Sequence, residues 1–536
     1  MLSRLVIRNY RVFRDFKLDF NPEMNILVGD NASGKSTVLE AISLAMTGRI
    51  HGRQLAQELS PYLFNQNAVD EYIEALRGGR EVPPPEIIID LFFAKSDRPE
   101  VNRLRGTNNL LQTDDAGVRV RVSLNRDFQR EYEEFIQDPE HVRLVPTEYY
   151  DVEWLDFAAN RITALSLPGT SVLIDSSNIH LHSGVDYYLE RIISSHLKPE
   201  ERVRLTRAYR RLREEFSSDP AIETINEQLR SAPSEVSDHK LTLGIDVSQK
   251  ARWENGIVPH LDDLPYQYVG KGEQSTLKIL LSLNRRVEET HVVLVEEPEN
   301  HLSFSNLGKL VKKISDKCVD KQVFITTHSS FVLNKLGLER LMLLDAKGGV
   351  RLDDLPPDTR DYFRKLSGYD TLRLVLARKA ILVEGPSDEL VVQRAYRDAH
   401  EGRMPIDDGI DVIDVGGLSF RRFLDIATRL DSAKVTVVTD NDGKDAARVH
   451  ERYASYTASG DIKICVSDDT SCRTLEPQLI KSNGAERMKA ILGLSAQMSE
   501  EELAKHMKAH KTSCALAIFS TEQAVTMPGY IADAVA

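Results

Sequence analysis

The chain has 536 residues, 41% hydrophobic and 28% charged, with a formal net charge of −13 from 82 acidic and 69 basic side chains. That length allows two to four domains with substantial cores. The acidic balance argues against a protein that coats nucleic acid through global charge, yet leaves room for a local groove. No apolar run approaches the roughly 20 residues of a membrane span. Residues 1–8 alternate like a strand, without the apolar stretch of a signal peptide, so a cytoplasmic protein is expected. Cys318, Cys465, Cys472 and Cys514 are scattered, with no CxxC pair, and should be reduced, packed thiols.

In chain order, alternation at Leu5 and Ile7, then at Phe16, Leu18 and Phe20, predicts two half-buried strands. Residues 24–28 form a short apolar strand that feeds Gly29-Asp30-Asn31-Ala32-Ser33-Gly34-Lys35-Ser36, a match to the P-loop pattern. A glycine-rich turn between strand and helix lets successive N–H groups point at phosphate oxygens. Gly29, Asn31, Gly34, Lys35, Ser36 and Thr37 are therefore the candidate ATP-binding residues. Lys35 would reach the β- and γ-phosphates, and Ser36 would hold Mg²⁺. The following helix should end near Gly48. Residues 51–85 are polar, finish in three prolines and read as a connector. Strand character returns at 87–93 and 118–124, whereas 128–180 give no readable pattern. From about 185 to 231 the chain reads as helical. Leu205, Tyr209, Leu212 and Phe216 make an apolar stripe, and Arg202, Arg204, Arg207, Arg210, Arg211 and Arg213 fill the other faces. A solvated dimerisation arm is the expectation, and a phosphate-contacting face the alternative.

Residues 265–345 regain the strand–helix alternation of a nucleotide-binding core. Val292-Val293-Leu294-Val295-Glu296-Glu297 has the form of a Walker B strand. Glu296 would hold Mg²⁺ and Glu297 would orient the attacking water. A further apolar strand precedes Thr326-Thr327-His328-Ser329, placing His328 where ABC-class ATPases sense the γ-phosphate. Val269-Gly270-Lys271-Gly272-Glu273-Gln274-Ser275 resembles the signature loop of that class, with Gly270 and Gly272 at its turn. Such a loop completes the ATP site of a second protomer, which implies a homodimer. The order of motifs resembles SMC-like and RecF-like ATPases. Two departures stand out: Glu296 replaces the commoner Asp, and Gly270 stands where many relatives have Ser.

Pro356-Pro357 suits a linker. Beyond it, three strands end in chemistry: 380–383 in Glu384-Gly385, 411–415 in Gly416-Gly417, and 435–439 in Asp440-Asn441-Asp442. In a parallel sheet, ligands collect at the carboxyl ends of the strands. Glu384, Asp440 and Asp442 can therefore converge on a metal, with Asp388 one helical turn beyond Glu384. Hard oxygen donors select Mg²⁺ or Mn²⁺.

This set resembles the split carboxylate site of a Toprim domain. An ABC-type ATPase fused to a C-terminal Toprim domain is similar to the overcoming-lysogenization-defect (OLD) family of nucleases, which includes the nuclease subunit of the Gabija antiphage system. The runs at 296–302 and 383–389 carry the likeness most clearly, while Ser303-Phe304 departs from the His-Pro of many relatives. The resemblance implies an α/β fold: an ABC/SMC-like P-loop ATPase domain with a helical dimerisation insertion, followed by a Toprim domain. The expected boundaries are 1–180 and 246–355 for the ATPase, 181–245 for the insertion, 356–378 for a linker and 379–536 for the Toprim domain. It further implies metal-dependent nicking or cleavage of DNA, a homodimer or larger assembly, and a helicase or other defence-system partner. Glu476 would bind a second metal ion, and Lys511 would stabilise charge on the pentavalent phosphate. Other readings are a non-cutting, ATP-gated DNA scaffold of RecF type and a different Toprim reaction, strand passage or primer synthesis.

Overall fold

In the computed structural model the described residues are 1–50, 52–175, 181–182, 185–186, 197–231, 243, 260–284, 290–318, 320–345, 348–352, 355–365, 371–417, 420–430, 434–458 and 460–536. They cluster into two compact units, Met1–Pro168 with Phe324–Ala536, and Gly169–Val323.

In the first unit, strands Leu2–Tyr10 and Phe13–Asp19 pair antiparallel. Leu5, Ile7, Phe16 and Leu18 point into the core. Ile87–Phe93, Asp115–Leu124 and Tyr150–Asp156 extend this sheet, again antiparallel. Tyr150–Asp156 comes from the stretch without a readable pattern, because only its two end residues are buried and period-two alternation is lost. Asp90, wholly buried, receives two guanidinium hydrogen bonds from Arg119 at 2.7 and 2.8 Å, the pairing that a carboxylate needs away from water. The polar connector contains a helix, Gln66–Arg77, with Asn65 accepting from the Ala68 N–H as its cap.

Met24–Val28 is buried at all five residues and runs parallel to Leu341–Leu344. Helix Lys35–Thr47 follows and ends on Gly48, whose left-handed φ of 66° closes its last turn. The expected linker is instead two helices, Pro357–Lys365 and Thr371–Leu376. Proline suits the first helical position because its missing N–H would have had no partner there.

The C-terminal strands Lys379–Val383, Ile410–Asp414, Lys434–Thr439 and Ile462–Val466 form one all-parallel sheet. Its spatial order is 410–414, 379–383, 434–439, 462–466. The chain leaves the first strand on one side and returns on the other. The neighbouring first and third strands therefore make a topological switch point, where a crevice opens at their carboxyl ends.

In the second unit, Thr170–Asp175 runs parallel to Thr290–Glu296. Its helices include Pro199–Ser217, Pro220–Ser231, Lys271–Asn284 and Phe304–Lys317. On the first of these, Leu205, Leu212 and Phe216 of the apolar stripe are 38%, 62% and 57% exposed, and the Arg213 guanidinium stacks 4.7 Å over the Tyr209 ring. Leu181–His182 and Val185–Asp186 pair as short antiparallel strands; the helix expected over 187–196 and the arm at 232–242 and 244–245 lie outside the described residues. All four cysteines are buried and free. Among the described residues no helix is long and apolar enough to cross a membrane.

Candidate functional site

The P-loop is shaped by two left-handed residues, Ala32 (φ 64°) and Gly34 (φ 92°). Such alternation turns backbone N–H groups into a concave, anion-accepting nest. A Cβ on Gly34 would stand 2.3 Å from the Phe13 ring, so the N-terminal hairpin itself demands glycine here. The Lys35 ammonium, nearly buried, donates to the carbonyls of Gly29 and Asp30 at 2.9 Å each. The Ser33 hydroxyl oxygen is buried without a hydrogen-bond partner, an orphaned polar atom at the cradle that fits a phosphate-binding loop. Ser36 is exposed at the helix start, and Thr37 is buried. His328 is exposed on the loop after strand Gln322–Thr326. The Thr327 N–H donates to Leu27 O at 3.2 Å, so that loop runs beside the strand feeding the P-loop.

The other ATPase motifs belong to the second unit. Glu296 ends its strand, and Glu297 follows at φ 40°. The Glu297 carboxylate accepts from Asn300 Nδ2 at 2.8 Å, which fixes its rotamer. Gly270 and Gly272 open helix Lys271–Asn284, and they differ. A Cβ on Gly270 meets nothing within 4 Å, whereas one on Gly272 would stand 2.2 Å from His301 O. Gly272→Ala is thus expected to cost about 1–3 kcal/mol through overpacking, and Gly270→Ala to stay within about 0.5 kcal/mol. Denaturant midpoints of the two variants check this; equal midpoints would refute the close approach.

The carboxylates gather at the switch point of the C-terminal parallel sheet. Glu384 follows the first strand, and its Oε1 accepts from the Asp440 N–H at 2.9 Å and the Thr439 hydroxyl at 2.7 Å. The third strand end is thereby tied to the first. Gly417, at φ 72°, brings its N–H to Glu384 O at 2.6 Å; the glycine turn is needed for that approach. Three helices present their first turns here: Asp388 on Pro386–Ala399, Glu476 on Leu475–Asn483 and Lys511 on Lys511–Ser520. Lys511 Nζ lies 3.1 Å from Glu476 Oε1, and the Thr474 hydroxyl donates to Glu476 Oε2 at 2.7 Å.

Electrostatics join the group. Burial, then Glu384, with Glu476 adding and Lys511 opposing, pushes Asp388 up to about 7. Burial, then Glu384, Asp388 and Glu476, pushes Asp440 up to about 8 against the pull of Lys511. Burial lowers the Lys511 ammonium, but Glu476, Asp388 and Asp440 outweigh it and raise it overall. Asp442 stands apart: its exposed carboxylate pairs with Lys444 at 3.7 Å. The loop between is pinned by the buried Asn441, whose Nδ2 donates to Ser467 O and Asp469 O at 3.1 and 2.8 Å.

Two neighbours were not anticipated from sequence. Thr439, which orients Glu384, sits one residue before the Asp-x-Asp and was within reach of motif reasoning. Tyr530, buried in the C-terminal helix Gly529–Val535, feels burial first and then the charges of Asp440, Asp388, Glu384 and Glu476, which together raise its hydroxyl well above the ordinary tyrosine range. Nothing local in the sequence marks it.

The donors fit a hard divalent cation: several carboxylates crowd together with one ammonium among them, a surplus of negative charge that a cation relieves. Among the described residues no group of three or more His, Cys, Asp or Glu side chains is placed, as it stands, to hold a metal ion. A sign follows for pH. Asp388 and Asp440 bind protons more tightly folded than unfolded, so without metal the native state loses stability as pH rises from about 4 through about 8. The groups facing them are Glu384, Glu476, Lys511 and Tyr530. A cation bound by the ionised carboxylates should reverse this, since a ligand at a hundred times its Kd stabilises by about 2.7 kcal/mol. The expected result is a Mn²⁺-induced rise in Tm that is larger near pH 8 than near pH 6 and shrinks in Asp440→Asn. A rise independent of pH and of Asp440 would place the ion elsewhere.

Residues 24–334 match the family model described as "AAA domain, putative AbiEii toxin, Type IV TA system". Residues 375–442 match "Overcoming lysogenization defect protein-like, TOPRIM domain". Among curated proteins, the DNA replication and repair protein RecF of Lactococcus lactis subsp. cremoris (strain MG1363) is 36% identical over 73 residues, 14% of this chain and 20% of that one. RecF of Lactobacillus johnsonii (strain CNCM I-12250 / La1 / NCC 533) is 22% identical over 369 residues, 61% of this chain and 92% of that one. The chain thus spans only a fifth of the length of the first relative. Among solved structures, an SmcHead bound to the C-winged helix domain of ScpA covers 66% of this chain and 98% of its own at 13% identity and TM-score 0.34. The recombination mediator RecF with ATP covers 66% and 99% at 14% identity and TM-score 0.33. The P-loop strand and helix, the parallel carboxylate-ended sheet and the two family matches agree: the chain belongs to the AAA-domain family and is an OLD-family fusion of an ATPase with a C-terminal Toprim domain.

Proposed function

We propose that the chain is an ATP-binding, divalent-metal-dependent DNA endonuclease whose cleavage is regulated by nucleotide, acting in the cytoplasm in antiphage defence. The observation that carries the reading is the convergence of Glu384, Asp388, Asp440, Glu476 and Lys511 at one switch point. A scaffold has no need of several mutually repelling, half-buried carboxylates. Glu384, Asp388, Asp440 and Glu476 would hold Mg²⁺ or Mn²⁺, with Asp442 moving in from its pairing with Lys444. The ion supplies Lewis-acid charge at the scissile phosphate.

The chain's own groups do the remainder. Thr439 and the Asp440 N–H occupy Glu384 Oε1, which leaves Oε2 to face an ion. Lys511 brings an ammonium to charge developing on the non-bridging oxygens as water attacks phosphorus and the P–O bond to the departing sugar oxygen breaks. The N-termini of the three helices contribute partial positive charge to the same point. ATP would act as regulator rather than as fuel, held by Gly29, Asn31, Gly34, Lys35, Ser36 and Thr37, with Glu296, Glu297 and His328 serving its γ-phosphate. Gly270 and Gly272 would serve a second copy. The exposed stripe of Leu205, Leu212 and Phe216 supports an arm that meets that copy.

The test is a supercoiled-plasmid assay with Mg²⁺ or Mn²⁺, with and without ATP. Nicked or linear product that depends on metal is expected. Intact plasmid in every lane, from protein that still binds ATP, would turn the assignment toward the RecF-type scaffold.

A further inference from the structure

We infer that Arg394 is the residue that positions Lys511, an inference that rests on the nuclease reading above. Arg394 lies on helix Pro386–Ala399, the helix that begins beside Asp388, and is only 4% exposed. Its Nη1 donates to the carbonyls of Ile518, Phe519 and Thr521 at 2.9, 3.3 and 2.6 Å, and its Nη2 to Gln523 O at 3.0 Å. Asp398 holds the other edge, accepting from Nε at 2.7 and 2.8 Å. One guanidinium thus gathers two carbonyls of the last turn of helix Lys511–Ser520, Ile518 and Phe519, groups that the helix itself leaves without partners, and two of the chain that follows it, Thr521 and Gln523.

What that end controls is the other end. The helix has no side-chain cap at its N-terminus, where His510 makes none, and Lys511 is half exposed. A ten-residue helix is a rod, so its axial position is set by its buried face (Cys514, Ala515 and Ile518) and by whatever holds its far end. Arg394 stands six residues after Asp388, about 9 Å along its helix, and Ile518 stands seven after Lys511, about 10 Å along its own. The two helices therefore run side by side with their N-termini at the carboxylates, and the Arg394 clamp fixes their register. A slip of one residue would shift Lys511 by about 1.5 Å, on the scale at which misplacement costs turnover. Lysine cannot substitute, because an ammonium lacks the planar fork that spans four carbonyls.

The experiment compares Arg394→Lys with the wild type in plasmid cleavage, alongside Mn²⁺ titration of each. Turnover should fall at least about tenfold, while KM for plasmid and the Kd for Mn²⁺ stay within about twofold, the split expected when only transition-state charge stabilisation is lost. Arg397→Met, which gives up one hydrogen bond to Phe519 O at 2.7 Å, should lose less than about threefold. If Arg394→Lys does not fold, Asp398→Asn loosens the same guanidinium from a more exposed position and should show the same split with a smaller loss. Unchanged turnover in a folded Arg394→Lys, or equal losses in turnover and Mn²⁺ affinity, would reduce Arg394 to a staple of the fold. Absence of cleavage by the wild type itself would instead overturn the nuclease reading, and this inference with it.

Discussion

Asp440→Asn and Glu384→Ala are each expected to lower metal-dependent plasmid cleavage by at least about 100-fold, above the range seen when only a partner of a metal ligand is lost. ATP affinity should stay within about twofold, since neither residue touches the P-loop. Asp440→Asn is the sharper of the two. It preserves shape and removes one of the charges that crowd the switch point, where Asp440 is pushed up to about 8. By linkage, a carboxyl whose proton is held more tightly in the native state weakens that state once the pH exceeds its unfolded value. The variant should therefore melt no lower than the wild type near pH 8 without metal, and a dead enzyme could not be put down to misfolding. Glu384→Ala removes the acceptor of the Thr439 hydroxyl and the Asp440 N–H, so it should both inactivate and destabilise. Cleavage surviving in both variants would move the active site away from the switch point.

The sequence was most readable where one residue type admits few explanations. Gly34 with its left-handed backbone against Phe13, and the glycine turn that brings Gly417 to Glu384 O, are positions where sterics leave little choice. The strand ends carrying Glu384 and Asp440 were legible because a largely buried, Val- and Ile-rich strand closing on an acid has few structural uses. What sequence could not supply was spatial order. That strands 379–383 and 434–439 are neighbours, with 410–414 on the far side, is a matter of crossover connections, and it decides which acids meet. Nor did the sequence show that the two acids of the Asp-x-Asp part company: the Asp440 N–H donates to Glu384, while Asp442, at φ 52°, pairs with Lys444. Tyr530 and Arg394 were invisible for a related reason. Each acts across a long stretch of chain, from a helix whose pattern reads as ordinary core. Helices Pro357–Lys365 and Thr371–Leu376 were hidden by a proline pair that marks a break as readily as a beginning.

Lys35→Ala is expected to weaken ATP binding by about 30- to 150-fold, corresponding to the roughly 2–3 kcal/mol of a charge-assisted hydrogen bond. The structure gives a reason to expect the upper part of that range. The ammonium is 6% exposed and held by two loop carbonyls at 2.9 Å, so it is already desolvated and needs little rearrangement to meet a phosphate. Removing it takes away the charge and the two bonds that shape the Gly29–Asp30 turn. Plasmid cleavage without ATP should change by less than about twofold, because the carboxylates sit on a separate sheet with its own core. Whatever ATP does to wild-type cleavage, activation or restraint, should vanish at ATP concentrations that saturate the wild type. The two outcomes separate regulation from chemistry. A variant that no longer binds ATP and still cuts, without response to it, makes the nucleotide a regulator. A variant that neither binds nor cuts makes ATP a requirement of the cleavage step, and the division of labour between the P-loop and the Toprim sheet would have to be redrawn.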